Sequence, residues 1–221
     1  MAEVRVQAAG LLFDMDGVLV SSIGSVTRSW RKWAAHYDVP GAATLEVEHG
    51  KRAVQIMEQL KPGVDQIEGL KLIEDMEVED VADIETLAGA RALLESLPPE
   101  RWAIVTSATY RLLDVRLKAA GLPEPSRIVA GDHVVNGKPH PEPYLRGAAM
   151  IDAEPQDCVV VEDAPSGVGA GKAAGSKVLG VVGTHTVEQL KAAGADWVVA
   201  SLLGVKATTV GDRVELSFEG I

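Results

Sequence analysis

The chain has 221 residues, 47% of them hydrophobic and 24% charged, which is enough to bury a full core and still build a small second domain. A formal net charge of −11 argues against a nucleic-acid partner, whose phosphates would need clustered Lys and Arg, and no apolar stretch approaches the roughly 20 residues of a membrane helix. The apolar run Ala8 to Phe13 leads straight into Asp14 without signal-peptide flanks, so cytoplasmic residence is the expectation, and the single cysteine, Cys158, reads as buried packing beside Val159 to Val161.

Val4 to Phe13, with β-branched residues at its start, predicts a strand that delivers Asp14-Met15-Asp16-Gly17 to a sheet edge. From about Ser22 to Ile84, helical spacing at Ser25 to Tyr37, Gly50 to Leu60 and Asp65 to Val81 predicts a helical insertion, with Pro40 and Pro62-Gly63 as breakers. Within it, Trp30 and Trp33 fall on one helical face and read as core of the insertion. Glu85 to Leu97 predicts a helix stopped by Pro98-Pro99. Beyond it come short apolar runs at Trp102 to Val105, Ile128 to Val129, Val159 to Val161, Val178 to Val182 and Trp197 to Val199, separated by helix-like stretches. That alternation implies a parallel sheet covered on both faces, a doubly wound α/β fold. Ala207 to Val210 and Val214 to Phe218 flank Gly211-Asp212-Arg213 and predict a terminal hairpin. The domain reading is an α/β core of residues 1–21 and 85–221 with a helical unit of 22–84 between them.

Four polar groups each follow a predicted strand, and in an open α/β fold the carboxyl ends of the strands are where ligands bind. Asp14 and Asp16 close the first strand, and Gly17 allows the chain to turn tightly. Thr106 and Ser107 follow the second, with hydroxyls and amides suited to phosphate oxygens. Lys138 sits in the stiff loop Asn136-Gly137-Lys138-Pro139-His140-Pro141, where His140 and Glu142 read as loop-orienting residues. Glu162 and Asp163 follow Val159 to Val161. A carboxylate nucleophile and a phosphate dianion repel by about 4 kcal/mol at 4 Å with an effective dielectric near 20, so a cation must stand between them. A hard, oxygen-loving cation held by Asp14, Asp163 and a backbone carbonyl identifies magnesium, and Lys138 balances the charge that remains.

In this order the four sites resemble the haloacid dehalogenase-like superfamily over most of the chain. The resemblance implies that Asp14 is the nucleophile and Asp16 the general acid and then base. It implies that the Asp16 carbonyl and Asp163, with Glu162 nearby, bind magnesium, and that Thr106 and Lys138 bind phosphate. The helical unit of 22–84 resembles a mobile cap, in which His49 and Arg52 would reach the far end of a substrate. RWAIVTSAT, GKPHPEPYL and VVVEDAPSGVGAGKAAG are similar to glycerol-3-phosphatases and 2-deoxyglucose-6-phosphatases. The expected substrate is therefore a small sugar or polyol phosphate, with no membrane or nucleic-acid partner. A phosphomutase of the same superfamily would use Asp14 and Asp16 identically, and a non-catalytic phosphosugar-binding domain would keep the fold without turnover.

Overall fold

The computed structural model describes residues 3–47 and 50–221. In chain order these residues form β1 (Glu3–Ala8), β2 (Gly10–Phe13), β3 (Val20–Ser21), α1 (Ile23–His36), α2 (Ala53–Leu60), α3 (Gln66–Glu79), β4 (Glu85–Thr86) and α4 (Ala90–Glu95). The second half continues with β5 (Trp102–Val105), α5 (Tyr110–Ala120), β6 (Ile128–Val129), α6 (Glu142–Met150), β7 (Cys158–Glu162), α7 (Pro165–Ala173), β8 (Lys177–Val181), α8 (Val187–Ala192), β9 (Trp197–Val199), β10 (Lys206–Val210) and β11 (Arg213–Glu219).

Six strands make a parallel sheet in the order β6-β5-β2-β7-β8-β9. The central strands β2, β5 and β7 are buried at every position, because helices cover both faces and leave no side for polar residues. Their side chains divide with period two: Leu11 and Phe13, Trp102 and Ile104, Val159 and Val161 join one apolar cluster. Leu12, Ala103 and Val105, Cys158 and Val160 join another on the opposite face. After β2 the chain lays strands on one side, β5 and then β6, before crossing to β7, β8 and β9 on the other. The direction of winding reverses between β2 and β7, which is where an open α/β sheet leaves a crevice at its carboxyl edge.

The expected strand Val4 to Phe13 is two strands in two sheets. β1 pairs antiparallel with β11, which also pairs with β10, whereas β2 enters the parallel sheet. The change of burial shows why: β1 buries Val6 and Ala8 and exposes Gln7 between them, while β2 buries all four. The expected helix Glu85 to Leu97 also begins later, at Ala90. Glu85 and Thr86 pair instead with Ser21 and Val20, and Gly89 sits at φ +88°, where a Cβ would lie 2.2 to 2.4 Å from the Leu202 carbonyl. No continuous helix can pass through such a residue. The hairpin of β10 and β11 lies where the sequence places it.

Between β3 and β4 the chain folds into α1, α2 and α3 around an apolar cluster of its own, with Trp30, Trp33, Ile56, Met57 and Ile73 at its centre. Both tryptophans are core, and Trp33 Nε1 donates to the Gly69 carbonyl at 2.9 Å. Asp65 caps α3 by accepting from the amides of Ile67 and Glu68 at 2.9 and 3.0 Å. No helix of the described residues is long and apolar enough to cross a membrane.

Candidate active site

Asp14 follows β2 directly, and its amide donates to the Val161 carbonyl at 2.9 Å, extending the parallel ladder by one bond. Gly17 then turns the chain at φ +81°, and a Cβ there would fall 2.0 Å from an Asp163 carboxylate oxygen. Only glycine lets the ends of β2 and β7 approach so closely. Four sequence-predicted residues, Asp14, Lys138, Glu162 and Asp163, meet at this edge, all of them buried.

Lys138 is the hub, with a side chain 1% exposed. Its Nζ donates to Asp14 Oδ1 at 2.6 Å, to Glu162 Oε1 at 2.7 Å and to the Val105 carbonyl at 3.0 Å. Burial alone would push the ammonium down, but Asp14 and Glu162 beside it hold it above its ordinary value. Glu142 steadies the loop that carries it, as the sequence implies. Its carboxylate accepts from the Val135 and Asn136 amides at 3.0 and 2.9 Å, and those amides, Asn136 first, hold it down at about 2.

Glu162 is already saturated. Oε1 accepts from Lys138 and from the Tyr144 hydroxyl at 2.8 Å, and Oε2 accepts from the amides of Asp163 and Ala164, both at 3.0 Å. These four bonds fill the lone-pair directions of a carboxylate. Asp14, Glu162 and Asp163 offer oxygens within 4.8 Å of one another, a cluster able to hold a cation, and of these Asp14 and Asp163 carry fewer hydrogen bonds from the protein. Burial, with Glu162 adding to it, pushes Asp163 up to about 7 against the Thr184 hydroxyl that bonds it. Burial likewise lifts Asp14, against the pull of Lys138. Two carboxyls that burial drives toward the neutral form are groups a divalent cation would keep ionised, so the residues fit such an ion.

Asp16 turns toward a different partner. Its Oδ2 accepts from Arg116 Nη1 at 2.8 Å, while Oδ1 is buried with no hydrogen-bond partner. Arg116 rises from α5, is itself buried, and places Nη2 3.4 Å from Glu77 Oε2 on α3. Burial pushes Glu77 up to about 7, with Arg116 opposing. Nothing in the sequence singles out Arg116 or Glu77, because each sits at an ordinary helical position and the partners lie 100 and 39 residues away. Tyr144 and Thr184 were equally silent, since a hydroxyl that bonds a buried carboxylate carries no local pattern.

Thr106 follows β5, and its Oγ1 accepts from the Ala108 amide at 3.1 Å. The helix cap is Thr109, which accepts from the Leu112 amide, so Thr106 and Ser107 remain at the cavity. Ser107 Oγ donates to the Gly50 carbonyl at 2.8 Å, and Arg52 Nη1 donates to the Val134 carbonyl at 3.3 Å, so both join the helical segment to the sheet. Arg111 adds ion pairs from α5 to Glu74 and Asp75 on α3, at 3.0 and 2.6 Å. His49, expected beside Arg52, lies outside the described residues. A cavity of about 280 Å³ opens under the helices. Asp14, Asp16, Thr106 and Ser107 line its floor, Arg52 one side, and Trp30 and Ile73 are among its apolar lining. Cys158 is buried on the far side of the sheet, and burial pushes its thiol up to about 12, which leaves it inert.

A family model for haloacid dehalogenase-like hydrolases matches residues 9–175. Hexitol phosphatase A of Escherichia coli is 40% identical over 177 residues, covering 78% of this chain and 82% of its own. Glycerol-1-phosphate phosphohydrolase 2 of Saccharomyces cerevisiae is 32% identical over 98% of this chain and 92% of its own. Among solved structures, a hydrolase from Pseudomonas syringae superposes with a TM-score of 0.80 at 26% identity, covering 88% of this chain and 94% of that one. A β-phosphoglucomutase from Clostridium difficile, at 22% identity and a TM-score of 0.75 over 89% and 92% of the two chains, shares the fold.

Proposed function

The chain belongs to the haloacid dehalogenase-like hydrolases, and from that premise we propose that it hydrolyses phosphate monoesters of small sugars or polyols through an aspartyl phosphate on Asp14. The observation that carries the proposal is the floor of the cavity, where a buried carboxylate bonded to a buried lysine faces a space large enough for a small phosphorylated polyol.

In the first step the Asp14 carboxylate attacks phosphorus, the bond to the ester oxygen breaks, and Asp16 gives a proton to the departing alkoxide. In the second, Asp16 takes a proton from water, which attacks the aspartyl phosphate and releases phosphate and free Asp14. Lys138, held in place by Glu162 and Val105, offsets the negative charge gathered between Asp14 and the phosphoryl group. Thr106 and the amides after Asp14 bind phosphoryl oxygens. Asp14, Asp163 and the Asp16 carbonyl would hold a magnesium ion, which when bound supplies further neutralisation of that charge. The four bonds to Glu162 support a part in fixing Lys138 and the β7 turn beside the metal ligands.

Residues 22–84 act as the cap, resting closed on the core of residues 1–21 and 85–221. Ser107, Arg111 and Arg52 fasten it, and closure excludes bulk water from the reacting groups. Phosphate release from a panel of sugar, polyol and nucleotide monophosphates, with magnesium and with chelator, tests the reading. Magnesium-dependent release from a few small substrates supports it. Conversion of a sugar 1-phosphate to its isomer without free phosphate would overturn it in favour of a mutase.

A further inference from the structure

We infer that Arg116 is a positioning residue for the general acid: it fixes the Asp16 carboxylate so that one oxygen is left to pass the proton to the leaving group, and Glu77 on α3 completes its own anchorage. The inference rests on the phosphatase reading and adds to it a residue outside the four motif sites.

The geometry has three parts. The carboxylate of Asp16 has one protein partner among the described residues, Arg116 Nη1 at 2.8 Å, and that bond is to Oδ2. Oδ1 is buried and unpaired, although a buried carboxylate oxygen ordinarily finds a donor. The side chain that Arg116 holds by one oxygen lines the cavity and is 24% exposed, which is where the carboxyl can exchange a proton. Finally, Arg116 has Nε and Nη2 without hydrogen bonds and a side chain 4% exposed, an arrangement that would be costly in a merely structural pair. What keeps it there is Glu77, 3.4 Å from Nη2 and nearly as buried. Because Asp16 belongs to the sheet edge and Glu77 to the helical segment, the guanidinium is fully flanked only while α3 rests on α5.

In the step concerned, the Asp14–phosphorus bond forms, the phosphorus–alkoxide bond breaks, and the proton moves from the Asp16 carboxyl to the alkoxide oxygen. An alkoxide leaving group needs that proton and a nitrophenolate hardly does, so loss of the positioning residue separates the two kinds of ester. The quantity to read is kcat/KM, which reports events up to formation of the aspartyl phosphate and is blind to its hydrolysis.

The experiment compares glycerol 1-phosphate with p-nitrophenyl phosphate for the full chain with magnesium, as wild type, Arg116→Met, Arg116→Lys and Asp16→Asn, each checked for fold by circular dichroism. Arg116→Met is expected to lower kcat/KM for the alkyl ester by about 10²-fold or more, within the range of general acid catalysis, and to leave the nitrophenyl ester within about threefold. Arg116→Lys, with one donor to offer Oδ2, is expected to recover part of the loss for the alkyl ester alone. Equal losses for both esters in Arg116→Met or in a folded Arg116→Lys, beside a selective loss in Asp16→Asn, would overturn the role of Arg116 and leave the phosphatase reading standing. An unselective Asp16→Asn would overturn the acid itself, and release from neither ester by the wild type would overturn both.

Discussion

Replacing Lys138 by Met removes a single charge from a group of buried carboxylates, and the outcome follows from its three bonds. The ammonium lies 2.6 Å from Asp14 and 2.7 Å from Glu162, whose side chains are 6% and 0% exposed. Methionine fills nearly the same volume, so packing changes little. The change leaves two buried anions without their countercharge, with Asp163 close by. Removing one partner of a buried ion pair costs about 3–5 kcal/mol, a large share of the roughly 5–15 kcal/mol that holds a domain folded. For a chain of this length, about 2–4 °C is lost per kcal/mol, so the melting temperature with chelator present should fall by about 6–20 °C. Scanning calorimetry measures this, and phosphate release should be lost in the same protein. The double variant Lys138→Met with Glu162→Gln removes one of the stranded charges and should regain part of the stability without regaining activity. A Lys138→Met protein within about 1 kcal/mol of the wild type would refute the reasoning, since the pair would then contribute no more than a surface one.

Asp14→Asn should abolish phosphate release while keeping the fold, and because burial already disfavours the charged form of Asp14, its melting temperature with chelator should not fall. Glu77→Gln tests a second buried carboxyl. Its value in the folded chain is raised from 4.5 to about 7, so the native state holds the proton more tightly than the unfolded chain, and the resulting stability is complete below about pH 4.5 and lost as the pH rises through 7. The stability difference between variant and wild type should therefore move toward the variant by about 3 kcal/mol from pH 4.5 to 8, at 1.36 kcal/mol per pH unit, and a flat difference in urea titrations would count against it. Glu142→Gln should loosen the turn that presents Lys138, lowering kcat several-fold with a small change in melting temperature, and an unchanged kcat would remove Glu142 from any part in holding that turn.

Much of the sheet was legible because buried strands write themselves locally. Trp102–Val105, Ile128–Val129 and Trp197–Val199 fall where apolar β-branched and aromatic runs end in turn residues. Asp14, Lys138, Glu162 and Asp163 were legible for a related reason, since each directly follows such a strand or its loop, and the parallel topology brings those ends together. What local pattern cannot carry is a partnership across the fold. Arg116 reads as one more helical charge until α5 lies against α3, and nothing local announces that Lys138, Tyr144 and two amides converge on Glu162. The misplaced helix after Ile84 has the same origin: its propensity is sound, but the carbonyl of Leu202, more than 100 residues away, requires a glycine at 89.

The pairing of β1 with β11 also sets an order of events in folding. Residues 3–8 are synthesised some 200 residues before the strand they bond, at residues 213–219, so β1 has no strand partner until that segment follows. Ala8 and Gly10 flank a single residue, so β1 runs almost directly into the strand that leads to Asp14. The seat of Asp14 is therefore secured late, by a loop closure of some 200 residues, a slow kind of contact to make. Until then Val6 and Ala8, buried in the folded chain, lack their cover, and an uncovered apolar strand is the kind of segment on which folding intermediates aggregate.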